Sequence, residues 1–174
     1  MQNVVNFYTG ISKTEGLSLK NKVRLLLAGL FTAAFLTACG EDPELTQFRN
    51  SIEEFCTDIS EIDTAINSID ASSEGAVQKL LSCLDELDDT FQEFAELDFP
   101  EEFDYLEEIA DQASEYMTEA VASYHEAYSE NSYNEITAAY AKENYSRAYK
   151  RIQIIITFLH GETPDDVDLT IESE

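Results

Sequence analysis

The amino-acid sequence predicts an all-α protein, an antiparallel four-helix bundle with up-down-up-down topology. Apolar residues recur at alternating spacings of three and four residues, which is the period of a helix that buries one face. Short segments with glycine, proline or serine interrupt this repeat, and short connections force successive helices to run antiparallel. We expect a bundle over residues 43–160, with helices at 43–70, 74–97, 100–130 and 133–160. The main alternative is a three-helix coiled coil with a detached fourth helix.

The first two predicted helices carry large apolar side chains along one face. In the first helix, Pro43 occupies the first helical position and Asp42 is the candidate N-cap. Its apolar face is a heptad seam that consists of Leu45, Phe48, Ile52, Phe55, Ile59, Ile62, Ile66 and Ile69. The second helix repeats the pattern with Val77, Leu80, Leu84, Leu87, Phe91 and Phe94. It must end before Pro100, because a residue that precedes proline disfavours helical backbone.

The last two predicted helices carry smaller residues on the apolar face, which allows close approach of a neighbouring helix. The seam of the third helix consists of Phe103, Leu106, Ala110, Ala113, Met117, Ala120, Tyr124 and Ala127. The seam of the fourth consists of Ala138, Ala141, Tyr145, Ala148, Ile152, Ile155 and Leu159. Ser132 and Glu135 match a capping box at the start of the fourth helix. Gly161 and Pro164 mark its end.

The first 38 residues differ from the rest of the chain. Residues 1–24 hold four of the ten basic residues, and an apolar run follows at residues 25–38. With 14 residues, this run is shorter than the ~20 residues that a membrane-spanning helix needs. The segment is typical of a signal peptide, with an n-region at 1–24 and an h-region at 25–38.

The end of this run resembles the lipobox of bacterial lipoproteins, through Leu36, Thr37, Ala38 and Cys39. The resemblance implies cleavage before Cys39, acylation of its thiol, and anchoring to the bacterial cell membrane on the extracytoplasmic face. Residues 39–42 are then the lipidated cysteine and a short linker, since two acyl chains anchor a protein stably. A short signal-anchor helix with an incidental cysteine is the alternative.

The chain is strongly acidic, with a formal net charge of −26 from 36 Asp and Glu against 10 Lys and Arg. Cleavage would remove four bases and one acid, so 35 acids and 6 bases would leave the mature chain at −29. We expect no binding to nucleic acid, because phosphates are bound by clusters of Lys and Arg. Residues 161–174 are expected to form an acidic, flexible tail.

The predicted fourth helix is locally basic, since it contains Lys142, Arg147, Lys150 and Arg151. One interpretation is that this helix lies between the acidic first and third helices and relieves their repulsion. The other is a basic recognition strip, which would require the four side chains to share an exposed face.

Cys56 and Cys83 are the two cysteines of the predicted body. In an exported protein such a pair is a candidate disulfide, and a turn near residues 70–72 would bring the two within about one helical turn. The bridge would close 27 residues and contribute roughly 3 to 4 kcal/mol on a chain-entropy basis. Two separate buried thiols are the equal alternative.

No motif typical of a catalytic or cofactor site occurs in the sequence. The two histidines, His125 and His160, are 35 residues apart and fit no metal-binding pattern. We therefore expect no enzymatic activity and no cofactor. Asp85, Asp88 and Asp89 are weak candidates for holding a hard cation such as Ca²⁺, although most carboxylate clusters are solvated surfaces.

Eight of the nine tyrosines follow residue 100. Tyr124 and Tyr145 fall in the apolar seams, and we expect them in the core. The candidate interaction face consists of Tyr116, Tyr128, Tyr133, Tyr140 and Tyr149, since aromatic rings with polar tips suit protein interfaces. The alternative is that these rings line the bundle boundary and only their hydroxyls are hydrated.

Residues 41–160 are similar in composition and helical pattern to small acidic helical-bundle lipoproteins of Firmicutes, a resemblance that implies no activity. The leading hypothesis is a non-enzymatic interaction module, anchored in the lipid bilayer through Cys39. It would bind an envelope protein, a peptide or a wall component through the third and fourth helices. The second hypothesis is binding of cations or cationic peptides through the clustered carboxylates.

Overall fold

The computed structural model describes residues 43–129 and 133–161, and this part of the chain is all-helical, as predicted. The α-helices are α1 (Pro43–Ser68), α2 (Ala76–Ala95), α3 (Glu107–Ala127) and α4 (Glu135–Leu159), and a 3-10 turn, Asp104–Leu106, precedes α3. None of these helices is long and apolar enough to span a membrane. The predicted signal peptide at 1–38, the linker at 39–42 and residues 162–174 of the tail lie outside the described residues.

The connection between α1 and α2 is a tight, hydrogen-bonded turn. Asp70 Oδ1 accepts hydrogen bonds from the backbone N–H of Ser72 (2.9 Å) and from its hydroxyl (2.7 Å). These bonds favour the ionised carboxylate and hold the pKa of Asp70 below its ordinary value. Gly75 then adopts φ = +79°, a conformation that other residues rarely adopt. The two helices therefore end at Ser68 and begin at Ala76, each two residues inside the predicted bounds.

The start of the third helix differs from the prediction. The N–H of Phe103 donates to the carbonyl of Pro100 (2.6 Å), and the 3-10 turn follows, so that the α-helix begins only at Glu107. The spacing of three residues between Phe103 and Leu106 fits a 3-10 turn as well as an α-helix, and periodicity does not separate the two. Leu106 is completely buried, so this residue belongs to the core in either case.

Asn134 caps α4 in the structure, where the sequence pattern pointed to Ser132. The side-chain oxygen of Asn134 accepts hydrogen bonds from the N–H groups of Ile136 (3.1 Å) and Thr137 (3.2 Å), which is the usual geometry of an N-cap. Ser132 lies outside the described residues. At the other end, Gly161 has φ = +70° and terminates α4, as predicted.

The predicted seams of α1 and α2 form a core of large side chains. Six of the eight seam residues of α1 are buried, and five of the six of α2. Leu80, Leu84 and Phe91 have no exposed surface at all. Burial of each such side chain stabilises the fold by about 1.5–3 kcal/mol relative to exposure.

Small residues lie between α3 and α4 and allow the two helices to pack closely. The buried alanines of the two helices are Ala110, Ala113, Ala120, Ala127, Ala138, Ala141 and Ala148. Because these side chains end at Cβ, the two backbones approach closely, and α3 and α4 make the most extensive contact of any helix pair in the described chain. The fourth helix is therefore not detached from the others.

Side-chain contacts join each helix to the next. Examples are the ring centroids of Phe55 and Phe94 (4.1 Å apart), Asp88 with Thr118 (2.7 Å) and Gln112 with Arg151 (2.8 Å). Helices that are not neighbours in sequence also meet, since the ring of Phe91 lies 5.6 Å from that of Tyr149. These contacts are consistent with a helical bundle.

Candidate functional site

The five tyrosines of the candidate interaction face do not lie together on the surface. Tyr149 points inward, where its ring centroid is 4.8 Å from that of Tyr145 and 5.6 Å from that of Phe91. Burial raises the pKa of both tyrosines well above the ordinary value. Tyr116 is half-buried beneath two arginines of α4. Tyr116 and Tyr149 therefore contribute to helix packing.

Tyr128 and Tyr133 form a pair at the connection between α3 and α4, with ring centroids 5.3 Å apart. Both are half-buried, and desolvation by burial is the main cause that raises the pKa of each. Tyr140, on the second turn of α4, is 50% exposed. Three of the five tyrosines thus lie near the start of α4, and only Tyr140 is largely accessible.

The most exposed large apolar side chain in the described part of the chain is Ile136, at 83%. Residues four apart lie on one face of a helix, so Ile136 and Tyr140 form an exposed apolar surface that we call the α4 strip. The predicted interaction face did not include Ile136, although a signal was present in the sequence. Ile136 lies two positions before Ala138, outside the seam that points to the core.

Two arginines of α4 turn toward α3. The guanidinium groups of Arg147 and Arg151 lie 5.6 and 5.8 Å from the ring centroid of Tyr116. Arg151 Nε also donates to the side-chain oxygen of Gln112 (2.8 Å), and Arg147 pairs with Glu143 on its own helix (2.7 Å). Both arginines therefore help to hold α4 against α3, through Tyr116 and Gln112. Relief of repulsion between the acidic first and third helices and a basic recognition strip both stay predictions.

Two of the three candidate cation ligands, Asp85 and Asp88, already have protein partners. Asp85 Oδ1 lies 2.6 Å from His125 Nε2, and Asp88 accepts hydrogen bonds from Thr118 (2.7 Å) and Gln92 (3.0 Å). Within residues 43–129 and 133–161, no three His, Cys, Asp or Glu side chains converge as metal ligands would. Asp85 and Asp88 instead link α2 to α3.

Cys56 and Cys83 are free thiols, the first buried and the second half-buried. Burial raises the pKa of both, that of Cys56 to about 12. Phe55, next to Cys56, contacts Phe91 and Phe94 of α2, whereas Cys83 precedes Phe91 by eight residues. Eight residues span ~12 Å of helix, and a disulfide needs Cα atoms within about 7 Å. The register of α1 and α2 therefore favours two separate thiols over the candidate disulfide.

One buried amide in α4 lacks a partner. Asn144 is 2% exposed, and its Nδ2 has no hydrogen-bond partner among the described residues. The residue lies between Ala141 and Ala148 on the buried face. A buried donor without a partner costs about 1–3 kcal/mol, so Asn144 offsets part of the stability that the alanine contacts provide.

Comparison with protein-family models, with curated proteins and with solved structures found no match for this chain. Function must therefore be argued from the residues themselves. The predicted lipidation site, Cys39, lies outside the described residues.

Proposed function

We propose that the protein is a membrane-anchored extracytoplasmic lipoprotein that acts as a non-enzymatic interaction module, with the α4 strip as its contact surface. The observation that carries this proposal is the 83% exposure of Ile136, one helical turn from the half-exposed Tyr140. Such an exposed aliphatic side chain contributes little to the stability of the fold. Burial of the same side chain by a partner would stabilise the complex by about 25 cal/mol per Å² of apolar surface. A few central apolar and aromatic residues commonly carry most of the binding energy of an interface.

The same proposal includes the up-down-up-down arrangement of the four helices. Support comes from pairs of contacting residues whose numbers rise in one helix as they fall in the next. Between α2 and α3 the pairs are Asp85 with His125 and Asp88 with Thr118. Between α3 and α4 they are Gln112 with Arg151 and Tyr116 with Arg147, and Tyr105, just before α3, continues the series with Phe158.

This arrangement separates the α4 strip from the anchor. The start of α4 then lies at the opposite end of the bundle from Pro43, the first residue of α1. A helix of 25 residues is ~37 Å long, so the strip would project away from the bilayer by about that distance. A contact surface in this position can reach a partner in the envelope without interference from lipid headgroups.

The proposed partner is an envelope protein with an apolar pocket bordered by basic residues. The mature chain would carry a net charge of −29, which favours association with a basic surface and repels anionic lipids and polymers. Complementary charge mainly accelerates association, so complex formation should slow as the salt concentration rises.

Metabolic labelling with a radioactive fatty acid, followed by membrane fractionation, tests the anchor. The native protein should carry the label and sediment with membranes. The Cys39→Ser variant should carry no label and appear in the soluble fraction. A labelled, membrane-bound Cys39→Ser protein would overturn the lipoprotein assignment.

Crosslinking in the protein's own membranes, followed by pull-down, tests the contact surface. Ile136→Glu should reduce the amount of crosslinked partner by roughly tenfold, which corresponds to about 1.4 kcal/mol of binding energy. Ser146→Glu is the matched control, because it adds the same charge at an exposed position of α4 outside the strip. Equal effects of the two substitutions would show that the strip is not the contact surface.

A further inference from the structure

An exposed alanine, Ala139, lies between the two residues of the α4 strip. It follows Ile136 by three residues and directly precedes Tyr140, so the three residues have the i, i+3, i+4 spacing of one apolar helix face. Ile136 and Tyr140 are each two positions from buried Ala138, a rotation of about 200° around the helix axis. This apolar face therefore points away from the core.

The shape of this face favours a helix as the partner. The side chain of Ala139 ends at Cβ, whereas the larger Ile136 lies one turn before it and Tyr140 lies beside it. A small residue between large ones leaves a hole that accepts a side chain of a crossing helix. The opposite side of α4 already packs in this way, since Ala141 and Ala148 allow close approach of α3.

Acidic side chains surround this face. Glu135 and Glu143 are exposed on α4. Glu126 is exposed near the end of α3, where the carbonyl of the next residue accepts a hydrogen bond from the N–H of Asn134 (3.0 Å). Lys142 is the first basic residue of α4, and it follows the strip. We call Glu126, Glu135 and Glu143 the acidic rim, and a helix with Lys or Arg beside its apolar residues complements it.

The size of this face determines how strong the contact is. Residues 136–143 span two turns of α4, or ~12 Å. Stable interfaces bury about 800 Å² on each partner, which is more than two turns of one helix provide. The contact is therefore weak and reversible, and it depends on the high effective concentration of two partners held in one envelope.

We propose that the partner contacts the α4 strip with a cationic amphipathic helix that crosses α4 over Ala139. One apolar side chain of this helix fills the hole at Ala139, and its neighbours pack against Ile136 and Tyr140. Its basic side chains meet the acidic rim. The apolar pocket of the envelope partner is then the space between neighbouring side chains of this helix. This assignment rests on the proposed function, because it specifies what the α4 strip contacts.

A synthetic peptide of about 18 residues, or five helical turns, tests the contact. It carries leucines on one face, lysines on the other, and one Trp at the centre of the apolar face. The protein contains no Trp, so the fluorescence reports burial of the peptide alone. Titration with the full chain should shift the emission to shorter wavelength and saturate. A peptide of the same composition with leucines all around the helix should bind severalfold more weakly, and equal binding would overturn the proposal.

The Ala139→Leu variant distinguishes a fitted helix from a general apolar contact. It fills the hole, so the Kd of the amphipathic peptide should rise roughly fivefold. A general apolar contact would instead tighten, because the variant adds apolar surface. Ser146→Leu places the same side chain at an exposed position of α4 outside the strip and should leave the Kd unchanged. An unchanged or lower Kd for Ala139→Leu overturns the proposal.

Paired substitutions test the acidic rim. Glu126→Gln combined with Glu135→Gln should raise the Kd of the peptide roughly tenfold at low salt and reduce its dependence on salt. Glu101→Gln combined with Glu102→Gln removes the same charge from exposed positions before the start of α3, and should leave the Kd nearly unchanged. Equal effects of the two double variants would show that the peptide responds only to the net charge, which contradicts the role of the rim.

Crosslinking of the native partner separates failure of the helix assignment from failure of the proposed function. If Ile136→Glu reduces the crosslinked partner and Ala139→Leu does not, the strip is the contact surface but no helix crosses Ala139. If neither substitution reduces it, the proposed contact surface is wrong as well. Sedimentation of the full chain tests the other occupant, because a dimer that Ile136→Glu dissociates would show that a second copy covers the strip, which overturns the proposal.

Discussion

Phe55 of α1 stacks on Phe94 of α2, with ring centroids 4.1 Å apart and an interplanar angle of 27°. The edge of Phe91 completes this cluster, 5.6 Å from Phe55. None of the three rings is more than 5% exposed. Because stacked rings have few alternative positions, the cluster sets the register in which the first helix meets the second.

Truncation of this cluster should destabilise the protein strongly. Phe94→Ala removes a buried ring and leaves a cavity, for which we expect a loss of about 3–5 kcal/mol in the free energy of unfolding. Urea denaturation followed by circular dichroism measures this loss. Thr57→Ala, at an exposed position of α1, is the control and should change stability by no more than about 0.5 kcal/mol. A loss below 1 kcal/mol for Phe94→Ala would mean that the rings do not pack as described.

The two cysteines should differ in reactivity. The pKa of Cys56 is raised to about 12 by burial, and that of half-buried Cys83 is raised as well, so the thiolate is scarce at both at neutral pH. A thiol reagent at pH 8 should therefore modify Cys83 slowly and Cys56 only when the protein unfolds. Cys83→Ser should remove the slow reaction of the native protein. After unfolding without a reductant, both Cys56 and Cys83 should react with the thiol reagent. If neither reacts, the two cysteines form a disulfide.

Buried tyrosines should make the protein sensitive to alkali. Burial raises the folded-state pKa of Tyr124, Tyr128 and Tyr149 above the value of about 10 for an exposed phenol. The contribution of these protonated phenols to the free energy of unfolding is therefore complete below pH ~10. It is lost as the pH rises above that value, since the phenols of the unfolded chain lose their protons first. Unfolding monitored by tyrosinate absorbance should be cooperative above pH ~10.

The Tyr124→Phe variant isolates one of these groups. It removes a buried hydroxyl that must ionise on alkaline unfolding, so its midpoint should move to higher pH than that of the native protein. Tyr140→Phe alters an exposed ring and should leave the midpoint where it was. The prediction fails if the two variants shift the midpoint equally.

Asn144 should tolerate truncation better than other buried residues. Its Nδ2 is buried without a hydrogen-bond partner, so Asn144→Ala removes an unfavourable contact and should raise the free energy of unfolding by ~1 kcal/mol. Thermal and urea unfolding measure the change. Leu84→Ala, also at a fully buried site, should instead lose about 2–5 kcal/mol. A loss above 1 kcal/mol for Asn144→Ala would show that the amide is paired in solution.

The helical core could be predicted from the sequence because a helix that buries one face has apolar residues at every third or fourth position. The buried series from Leu80 to Phe94 in α2 was predicted residue by residue. The first turns of α3 could not be predicted, since a spacing of three fits two kinds of helix. The N-cap at Asn134 was missed because Ser132 offers the same chemistry two residues earlier.

The candidate site was only partly predictable, for a different reason. A tyrosine suits both the core and the surface, and its position depends on which helix packs beside it. Tyr149 is packed against Phe91, and Tyr116 is covered by Arg147 and Arg151, contacts that no local pattern contains. Ile136 and Ile154 both lie outside the predicted seam of α4, but Ile136 is 83% exposed and Ile154 is buried, so position relative to the seam is only a partial signal.

Because alanines fill the contact between α3 and α4, the core of these two helices should tolerate substitution less well than the core of α1 and α2. Ala113 and Ala148 are completely buried, so a larger side chain at either position would overpack the contact between the two helices. Leucine and isoleucine in the core of α1 and α2 can replace one another at lower cost, because their volumes are equal. Among buried positions, we therefore expect homologous sequences to vary most in the first two helices and to keep small residues in the last two.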